Sequence, residues 1–390
     1  MDPIENPYTP NAGSRPPELA GRDEQLEIFR VAIGKHKRGS TEQSLIAKGL
    51  RGVGKTVLLN ACENYAESEG FLTFFHELTP ELSLVNEIAR DAEKALTRLS
   101  LGEKITARVR GALGHMRTIR LTGPEGFGLA VDLAQADEGT LTSDLTDLFL
   151  ELGTAARDKG SGVVFLLDEV QFADEAHYRA LISALHRCTQ KELPILMAAA
   201  GLPQIPRLTG EARSYAERLF NFQDIGSLAE PEATAALIAP AERQSIEFEA
   251  GAVAAALEWT AGYPFFLQQL GKHAWNRAAG PNITEDDIRS AIPAAQAALD
   301  GSIYEVRYQR ASPAERQYLR AMAELGPGPY PAGDVSAKLG RTSSAVSVRR
   351  DSLIKKGLVY ATEDWGHVAF TVPRFDEYMR RVMTYTPPDG

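Results

Sequence analysis

Eight consecutive residues have the types and spacing of a phosphate-binding loop. Residues 49–56 read GLRGVGKT and satisfy the pattern G-x-x-x-x-G-K-[ST]. Glycines let the backbone turn its N–H groups toward an anion, and a following helix adds its positive N-terminal end. Lys55 would reach the β- and γ-phosphates, and the Thr56 hydroxyl is a hard oxygen ligand for Mg²⁺. The predicted ATP- or ADP-binding residues of this loop are Gly49, Leu50, Arg51, Gly52, Val53, Gly54, Lys55, Thr56 and Val57.

A pair of acids follows the strongest buried-strand signal in the sequence. The run VVFLL at residues 163–167 leads directly into Asp168 and Glu169. An aspartate in this place can hold Mg²⁺ through water, and a glutamate beside it can polarise the attacking water. We therefore predict Asp168 and Thr56 as the metal site, and Glu169 and Lys55 as catalytic residues. A solvated acidic loop after a core strand is the alternative.

Strands and helices alternate around these two motifs. Short apolar runs at residues 44–47, 71–75, 163–167 and 193–200 predict buried strands, with helical spacing of apolar residues between them. This alternation predicts an α/β fold, a P-loop parallel sheet covered by helices on both faces. The core is predicted over residues 21–227. Lys55 and Asp168 are 113 residues apart, which implies an insertion at about 100–140.

The other segments are predicted from composition and from helix signals. Residues 1–20 are rich in Pro, Asn and Gly and predict an irregular N-terminal arm. Residues 228–300 lose the strand signal and are rich in Ala, Leu and Glu, which predicts an all-helical lid domain. Residues 301–390 contain a capping box that starts at Ser312 and two short strands around the turn at 364–366, which predicts a winged helix-turn-helix.

These features together resemble the AAA+ and STAND branches of the P-loop ATPases, and among them the archaeal and bacterial ATPases that resemble origin-recognition proteins. Gly21 and Arg22 stand where these families carry an adenine-side Gly-Arg-acid element. The sequence AGYPFFL at residues 261–267 resembles the Gly-x-Pro motif of STAND ATPases, in which Pro264 contacts adenine. A proline that starts a helix is the alternative. The resemblance extends over nearly the whole chain and implies ATP and Mg²⁺ as ligands.

Two features expected from the resemblance are harder to place. The predicted sensor strand ends in AAAG at residues 198–201, so a polar sensor is missing there, and Gln171 or Gln204 could substitute. An arginine that balances the phosphate charge is expected, in cis or from a neighbouring subunit. Arg213 and Arg218 are candidates, and Arg218 is preferred because it lies beside an apolar pair. A surface salt-bridge arginine is the alternative.

The distribution of charge separates the C-terminal part from the rest of the chain. A net charge of −10 argues against nucleic-acid binding over the whole surface, but the last 90 residues carry 13 basic and 10 acidic residues. The predicted recognition helix has a local charge of +4 over residues 341–356, and Arg341, Ser344 and Lys355 are its predicted contacts to double-stranded DNA. Val348 and Asp351 lie on the same predicted face of the helix, and an apolar residue and an acid do not favour contact with DNA. The alternative is a winged helix that packs on the nucleotide domain and reports its state.

A second basic stretch runs from residue 104 to 120 and contains five basic residues. Because it has little aromatic interleaving, base stacking is not supported, and a solvated basic helix or hairpin is the simpler interpretation. A surface for nucleic acid or for a partner protein is the alternative.

Composition excludes several classes of protein. No apolar run reaches the roughly 20 residues of a membrane helix, and the first 20 residues lack the pattern of a secretory signal. Cys62 and Cys188 do not form a C-x-x-C pair, so a cytoplasmic protein without disulfides or a thiolate zinc site is expected.

The predicted function is an ATP-binding and ATP-hydrolysing switch, slow or stimulated by a partner, that couples nucleotide state to DNA binding or to assembly of a homo-oligomer or another protein complex. The alternative is a DNA-binding regulator whose nucleotide-binding core has little turnover. A metabolic P-loop kinase is disfavoured, because such an enzyme needs neither a helical domain nor a winged helix after the core.

Overall fold

The computed structural model describes residues 1–11, 19–99, 119–122, 128–131, 138–206, 210 and 216–387. Most of the basic stretch 104–120 lies outside the described residues, as does Arg213. The α-helices of the described residues are α1 Asp23–Lys37, α2 Lys55–Ser68, α3 Leu84–Leu99, α4 Glu138–Asp158, α5 Glu175–Gln190, α6 Ala216–Leu219, α7 Glu230–Glu242, α8 Ala250–Thr260, α9 Pro264–Arg277, α10 Glu285–Leu299, α11 Glu305–Arg310, α12 Pro313–Glu324, α13 Ala332–Lys338, α14 Ser343–Lys355 and α15 Phe375–Val382. Its strands are β1 Ser44–Lys48, β2 Leu72–Glu77, β3 Ile119–Thr122, β4 Gly128–Val131, β5 Val163–Asp168, β6 Ile195–Gly201, β7 Phe220–Asp224, β8 Glu247–Phe248, β9 Asn282–Ile283, β10 Tyr330–Pro331, β11 Val359–Ala361 and β12 His367–Phe370.

A five-stranded parallel sheet with the order β2-β5-β6-β1-β7 forms the centre of the chain. Every residue of β5 and β6 is buried, because helices cover both faces of the sheet. Alternate residues of β5 pack into two different clusters, with Phe165 and Leu167 on one face and Val164 and Leu166 on the other. The predicted fold class, an α/β P-loop core, is confirmed.

The carboxyl edge of this sheet brings the two chemical motifs together. Lys48, the last residue of β1, is paired in register with Gly201 of β6, and the phosphate-binding loop starts one residue later. Glu77, at the end of β2, is in register with Asp168 of β5. Because the strands are parallel, the segments that follow β1, β2, β5 and β6 all emerge at one edge, and a site can be assembled there.

The lid region, residues 228–300, contains four helices, α7 to α10, and one short strand pair. The prediction of an all-helical region was wrong in this detail, because β8 and β9 pair in parallel. The pair is only two residues long on each side, too short to produce a recognisable alternation in the sequence. The predicted boundaries between domains stay predictions.

The C-terminal region contains helices followed by an antiparallel strand pair, and its assignment as a winged helix stays a prediction. Helices α12, α13 and α14 are followed by the hairpin of β11 and β12, and β10 adds a third antiparallel strand that the sequence reasoning missed. The capping box at the start of α12 forms as predicted, with Ser312 and Glu315 satisfying each other's backbone N–H groups. Val346 and Leu353 of α14 are buried, so this side of the helix faces the core. Ser352 of the same helix is turned toward α12, where its hydroxyl donates to Glu315.

Glu315 is a buried carboxylate that ties α12 to α14. Lys356 Nζ lies 2.6 Å from its Oε2, and the Ser352 hydroxyl donates to Oε1 at 2.6 Å. Burial raises the pKa of Glu315, but hydrogen bonds from Lys356, Ser352 and Ser312 outweigh burial and lower the pKa to about 2. The carboxylate thus stabilises the fold above its unfolded-state pKa of about 4.5, and this contribution is lost as the pH falls from there toward about 2.

Glu315→Gln is therefore expected to lower the stability of the C-terminal region at pH 7 by about 1–3 kcal/mol. The difference from the wild type should shrink as the pH falls from 4.5 toward 2, which thermal unfolding followed by circular dichroism at several pH values would measure. Glu258→Gln, at a carboxylate whose side chain is 76% exposed, is the matched control. A pH-independent difference would contradict this account of Glu315.

The C-terminal region is packed directly onto the core. Leu58 and Cys62 of α2 belong to the same continuous hydrophobic cluster as Tyr318, Met322 and Leu353 of the C-terminal helices. The cluster therefore extends from one face of the central sheet into the C-terminal region. Movement of either part changes the packing of the other, because protein interiors are close-packed.

Among the residues that the structure describes, no helix is both long and apolar enough to cross a membrane.

Candidate nucleotide-binding and hydrolysis site

The phosphate-binding loop lies between β1 and α2, and two of its glycines are required by its geometry. A Cβ atom on Gly49 would come within 2.0 Å of the Ile225 carbonyl oxygen, so the close approach of the two backbones requires glycine. Gly54 has a φ of 92°, in the left-handed region, and forms the N-cap of α2. The loop is thus shaped so that its N–H groups and the start of α2 surround one point, as a phosphate group requires.

Lys55 is the first residue of α2 and is buried at the base of the loop. Its Nζ donates to the Gly49 carbonyl at 3.0 Å and to the Leu50 carbonyl at 2.7 Å. Burial lowers the pKa of Lys55 to about 8, although Glu169 and Asp168 act in the opposite direction. The ammonium is therefore held against the loop by two carbonyl groups and has two acidic neighbours, which fits a group that neutralises phosphate charge.

Thr56 and Asp168 contact each other directly across the two motifs. The Thr56 hydroxyl donates to Asp168 Oδ2, and Asp168 Oδ1 accepts from the Glu169 backbone N–H at 2.8 Å. Asp168 is 3% exposed, and burial raises its pKa. A hydroxyl and a carboxylate side by side at a cavity wall are the hard oxygen groups that Mg²⁺ prefers, so these two residues fit the predicted metal site.

Glu169 has two side-chain partners in this structure. Arg51 Nη1 lies 3.1 Å from Glu169 Oε1, and Gln171 Nε2 donates to Oε2. Glu169 also has a φ of 54°, a conformation that turns the chain sharply after β5. The sequence reasoning placed Arg51 and Glu169 in one site but did not foresee this ion pair between residues 118 positions apart.

Gln171 links Glu169 to the end of the sensor strand. Its Oε1 accepts a hydrogen bond from the Leu202 backbone N–H at 3.0 Å, just after β6. Of the two glutamines predicted as substitutes for a polar sensor, Gln171 therefore contacts the acidic motif. Neither Gln171 nor Gln204 is among the residues that line the cavity described below.

Arg22 is buried and fastens the loop from the opposite side. Its guanidinium donates to the Val53 carbonyl at 3.0 Å and to the Gly226 carbonyl at 2.7 Å. Gly21 before it has a φ of 64°, in the left-handed region. Burial lowers the pKa of Arg22. Arg22 lines the cavity and Gly21 does not, and the hydrogen bonds from Arg22 to Val53 and Gly226 support the loop backbone.

Pro264 is the first residue of α9 and also lines the cavity. It is therefore a proline that starts a helix and, at the same time, a residue at the wall where a ligand would lie. Tyr263 before it donates its hydroxyl to the Arg51 carbonyl. Burial raises the pKa of Tyr263, which keeps the phenol a donor. The predicted motif at 261–267 therefore connects the lid directly to the phosphate-binding loop.

A cavity of about 600 Å³ unites these residues. Its wall includes the loop from Arg51 to Val57, the acids Asp168 and Glu169, and Arg22 and Pro264. Sequence reasoning missed further members of the wall, namely Glu77, Gln268 and Arg307. Burial and the neighbouring Arg51 lower the pKa of Arg307 to about 10. No short motif marks these positions, although Glu77 follows an apolar run that sequence alone assigns to a strand.

Arg218 does not line this cavity, so its predicted role in the site of its own chain was wrong, and a role in the site of a neighbouring subunit stays a prediction. It is exposed in the short helix α6, directly before β7. Its carbonyl accepts from the side chain of Gln43, which precedes β1. Both residues therefore lie at the amino edge of the parallel sheet, opposite the phosphate-binding loop. Among the described residues, three arginines line the cavity, namely Arg22, Arg51 and Arg307.

The predicted DNA-contacting residues Arg341, Ser344 and Lys355 are exposed at α14. Val348 on the same helix is 76% exposed, so an apolar side chain lies on the face that would contact DNA. The turn between β11 and β12 presents Trp365, 94% exposed, next to Glu363 and Asp364. Two acids at the tip of this turn do not favour contact with phosphates.

The C-terminal region contacts the phosphate-binding loop itself. The Arg51 backbone N–H donates to the Thr371 carbonyl at 3.0 Å. A Cβ atom on Gly357 would lie 3.0 Å from Arg51 Nη2, so the loop between α14 and β11 touches the same arginine. Lys48, at the end of β1, lies 3.7 Å from Glu363. Arg51 thus joins the phosphate-binding loop, the acidic motif and the C-terminal region.

The fold and the site define a P-loop nucleotide-binding protein of the α/β class. Residues 18–197 match the AAA ATPase domain family, and residues 301–379 match a domain of unknown function. The chain therefore carries an AAA ATPase domain, and the predicted AAA+ resemblance is confirmed. The STAND assignment stays a prediction. No curated protein matches the chain.

Solved structures of similar fold include a Walker-type ATPase of Pyrococcus abyssi. That protein is 14% identical, with a TM-score of 0.56, over 96% of this chain and 99% of its own. The RuvB Holliday junction branch migration motor of Thermotoga maritima is 16% identical, with a TM-score of 0.45, over 96% and 99% of the two chains. The ORC1 protein of Aeropyrum pernix, solved in complex with DNA, is 16% identical, with a TM-score of 0.45, over 96% and 95%.

Proposed function

We propose that this protein is an ATP-binding and ATP-hydrolysing switch in which the C-terminal region changes position in response to the bound nucleotide. One observation carries the proposal: the phosphate-binding loop donates a backbone hydrogen bond to that region, from Arg51 to Thr371. A nucleotide that recruits the N–H groups of the loop acts directly on this contact. Binding can therefore bias the position of the C-terminal region through a specific, physically adjacent element.

The residues of the cavity supply the parts that hydrolysis needs. The loop backbone and Lys55 bind the phosphates, while Thr56 and Asp168 hold Mg²⁺. The metal ion neutralises charge that develops on the phosphate oxygens. Glu169 is the base for the attacking water once it leaves Arg51 and Gln171. Arg307 provides a cation of the same chain at the cavity wall, in the role first sought at Arg218.

The alternative is a DNA-binding regulator with little turnover. Two observations favour it: Glu169 is paired with Arg51, and β6 ends in alanines and a glycine without a polar sensor. The contact between Arg51 and Thr371 is common to both functions. They differ in the rate of phosphate release and in its response to DNA.

Steady-state phosphate release by the purified protein, with and without double-stranded DNA, tests the proposal. Turnover that Glu169→Gln abolishes supports the ATP-hydrolysing switch, and stimulation by DNA assigns the output to DNA binding. Slow turnover indifferent to DNA assigns the output to assembly with itself or with another protein. ATP binding without hydrolysis, with or without DNA, would overturn the proposal in favour of the regulator.

A contribution of α14 to DNA binding makes a separate prediction. Arg341→Ala combined with Lys355→Ala should weaken duplex binding and reduce the slope of log affinity against log salt by about 2, because two phosphate contacts are lost. The matched control is Lys35→Ala combined with Lys37→Ala, which removes the same charge from α1. Fluorescence anisotropy over a salt series measures both. Equal slopes for the three proteins would contradict a phosphate contact by α14.

A further inference from the structure

Glu77 is an acidic residue at the wall of the nucleotide cavity to which the proposed mechanism gives no role. It is the last residue of β2, its side chain is exposed, and it lines the cavity together with Thr56 and Asp168. A carboxylate repels the phosphates of a nucleotide bound in the same cavity. A negative charge in this position therefore favours ligand binding only if a cation lies between it and the phosphates.

The parallel pairing of β2 and β5 puts Glu77 beside Asp168. The two residues are partners in register, and the Leu78 N–H continues the ladder by donating to the Asp168 carbonyl at 3.0 Å. Because side chains alternate along a strand, residues paired in register project from the same face of the sheet. Leu166, two residues before Asp168 on β5, packs in the hydrophobic cluster that contains α2. Glu77 and Asp168 therefore project on the side of the sheet where α2 lies.

His76, on the opposite face of β2, fixes the end of this strand. Its Nε2 contacts Oδ2 of Asp91 in α3, and Asp91 is 1% exposed. Lys94 Nζ lies 3.0 Å from the other carboxylate oxygen of Asp91. Since neighbouring residues of a strand point to opposite faces, this contact holds His76 against α3 and directs Glu77 to the other side. Glu77 is thus carried by an anchored strand end.

Glu77 and Glu169 differ in their hydrogen-bond partners. Glu169 is paired with Arg51 and accepts from Gln171. None of the residues that the structure describes forms a hydrogen bond or an ion pair with the Glu77 carboxylate. Both oxygens of Glu77 are therefore available as acceptors at the cavity wall, whereas those of Glu169 are already engaged.

A magnesium ion held by Thr56 and Asp168 needs further oxygen ligands. Mg²⁺ demands octahedral geometry and usually keeps several of its ligands as water, beside one or two carboxylates and the phosphates of the substrate. Waters bound to a metal are strong hydrogen-bond donors, and outer residues of a metal site orient them by accepting those hydrogen bonds. A carboxylate that is in register with Asp168 and has unengaged oxygens is an acceptor of this kind.

We propose that Glu77 is a positioning residue of the metal site, which accepts hydrogen bonds from the water ligands of Mg²⁺. The inference rests on the proposed nucleotide site and adds a residue to it. Thr56 contacts Asp168 directly and Glu77 contacts neither side chain, so the Glu77 carboxylate reaches the ion through water. Without the metal the same charge repels the nucleotide. Glu77 thereby makes tight ATP binding depend on Mg²⁺.

The test measures the factor by which saturating Mg²⁺ strengthens binding of the non-hydrolysable analogue β,γ-imido-ATP to the full chain, by isothermal titration calorimetry with Mg²⁺ and with EDTA. Glu77→Gln keeps the size of the side chain but removes its charge. We expect this factor to fall about tenfold, since loss of an outer partner of a metal site costs about 10–100-fold in metal affinity. Affinity in EDTA should stay the same or rise, because the repulsion is relieved. A merely structural role would lower the affinity in both conditions.

Glu81→Gln is the matched control, because Glu81 is an exposed carboxylate shortly after β2 that does not line the cavity. Glu77→Asp, which keeps the charge, should retain part of the effect of Mg²⁺. A wild-type factor in folded Glu77→Gln would overturn the proposal, and so would equal losses with Mg²⁺ and with EDTA. If the wild-type protein bound the analogue in neither condition, the proposed nucleotide site itself would fail, which is a distinguishable result.

Discussion

Lys55→Ala is expected to weaken ATP binding by about 100-fold or more, which is about 2.7 kcal/mol. The lysine is the buried cation at the base of the phosphate-binding loop, and charge-assisted hydrogen bonds to phosphate are among the strongest single contacts a protein makes. Loss of the side chain also frees the Gly49 and Leu50 carbonyls, whose oxygens would then face the phosphates. Equilibrium titration with ATP and Mg²⁺ measures the change.

The control for this variant is Lys37→Ala, a surface lysine of α1 paired with Glu69. It removes one positive charge without touching the cavity. Lys55→Met, which keeps the length of the side chain, separates the loss of charge from the loss of packing. Unchanged ATP affinity in Lys55→Ala would refute the assignment of residues 49–57 as the nucleotide site.

Glu169→Gln should preserve ATP binding and lower the turnover rate by about 100-fold or more, because a general base contributes on the order of 10²–10⁴ to a rate. Glutamine has nearly the same shape and can still accept a hydrogen bond from Arg51, but it cannot take a proton from water. Phosphate release at saturating ATP measures turnover, and a parallel titration measures affinity.

Glu175→Gln is the control for this variant, since Glu175 lies at the start of α5 with its side chain 70% exposed and paired with Arg179. If Glu169→Gln hydrolysed ATP at the wild-type rate, Glu169 would not be the base. Glu77, which also lines the cavity, would then be the next carboxylate to replace.

The ion pair between Arg51 and Glu169 connects these two predictions to the C-terminal region. Arg51 contacts Glu169 through its guanidinium, Thr371 through its N–H, and Tyr263 through its carbonyl. A shift in the position of any one of these three partners therefore moves Arg51, and through Arg51 it affects the other two. This arrangement gives the proposed switch a physical basis, since the position of Arg51 depends on both the lid and the C-terminal region.

Contiguous motifs were predictable from sequence because their geometry is local. The loop at residues 49–56 is formed by its own backbone and the start of α2, and Asp168 is delivered by the strand that immediately precedes it. The helix that starts after Ser312 and the strand pair around the turn at residues 364–366 were also predictable, through the capping box and the turn residues. Short strands such as β8 and β10 were missed, because two residues carry no periodicity.

The sequence by itself determined the nature of the chemistry, a phosphate-binding loop with a threonine, a lysine and an acidic pair at the end of a buried strand. Only the tertiary structure decided which distant residues join that site. Arg218 does not reach the site of its own chain, because the parallel direction of β7 puts the residue before it at the far edge of the sheet. Arg307 was brought in because packing of α11 sets its position. Such contacts follow from the relative placement of whole elements, and no local spacing along the chain encodes them.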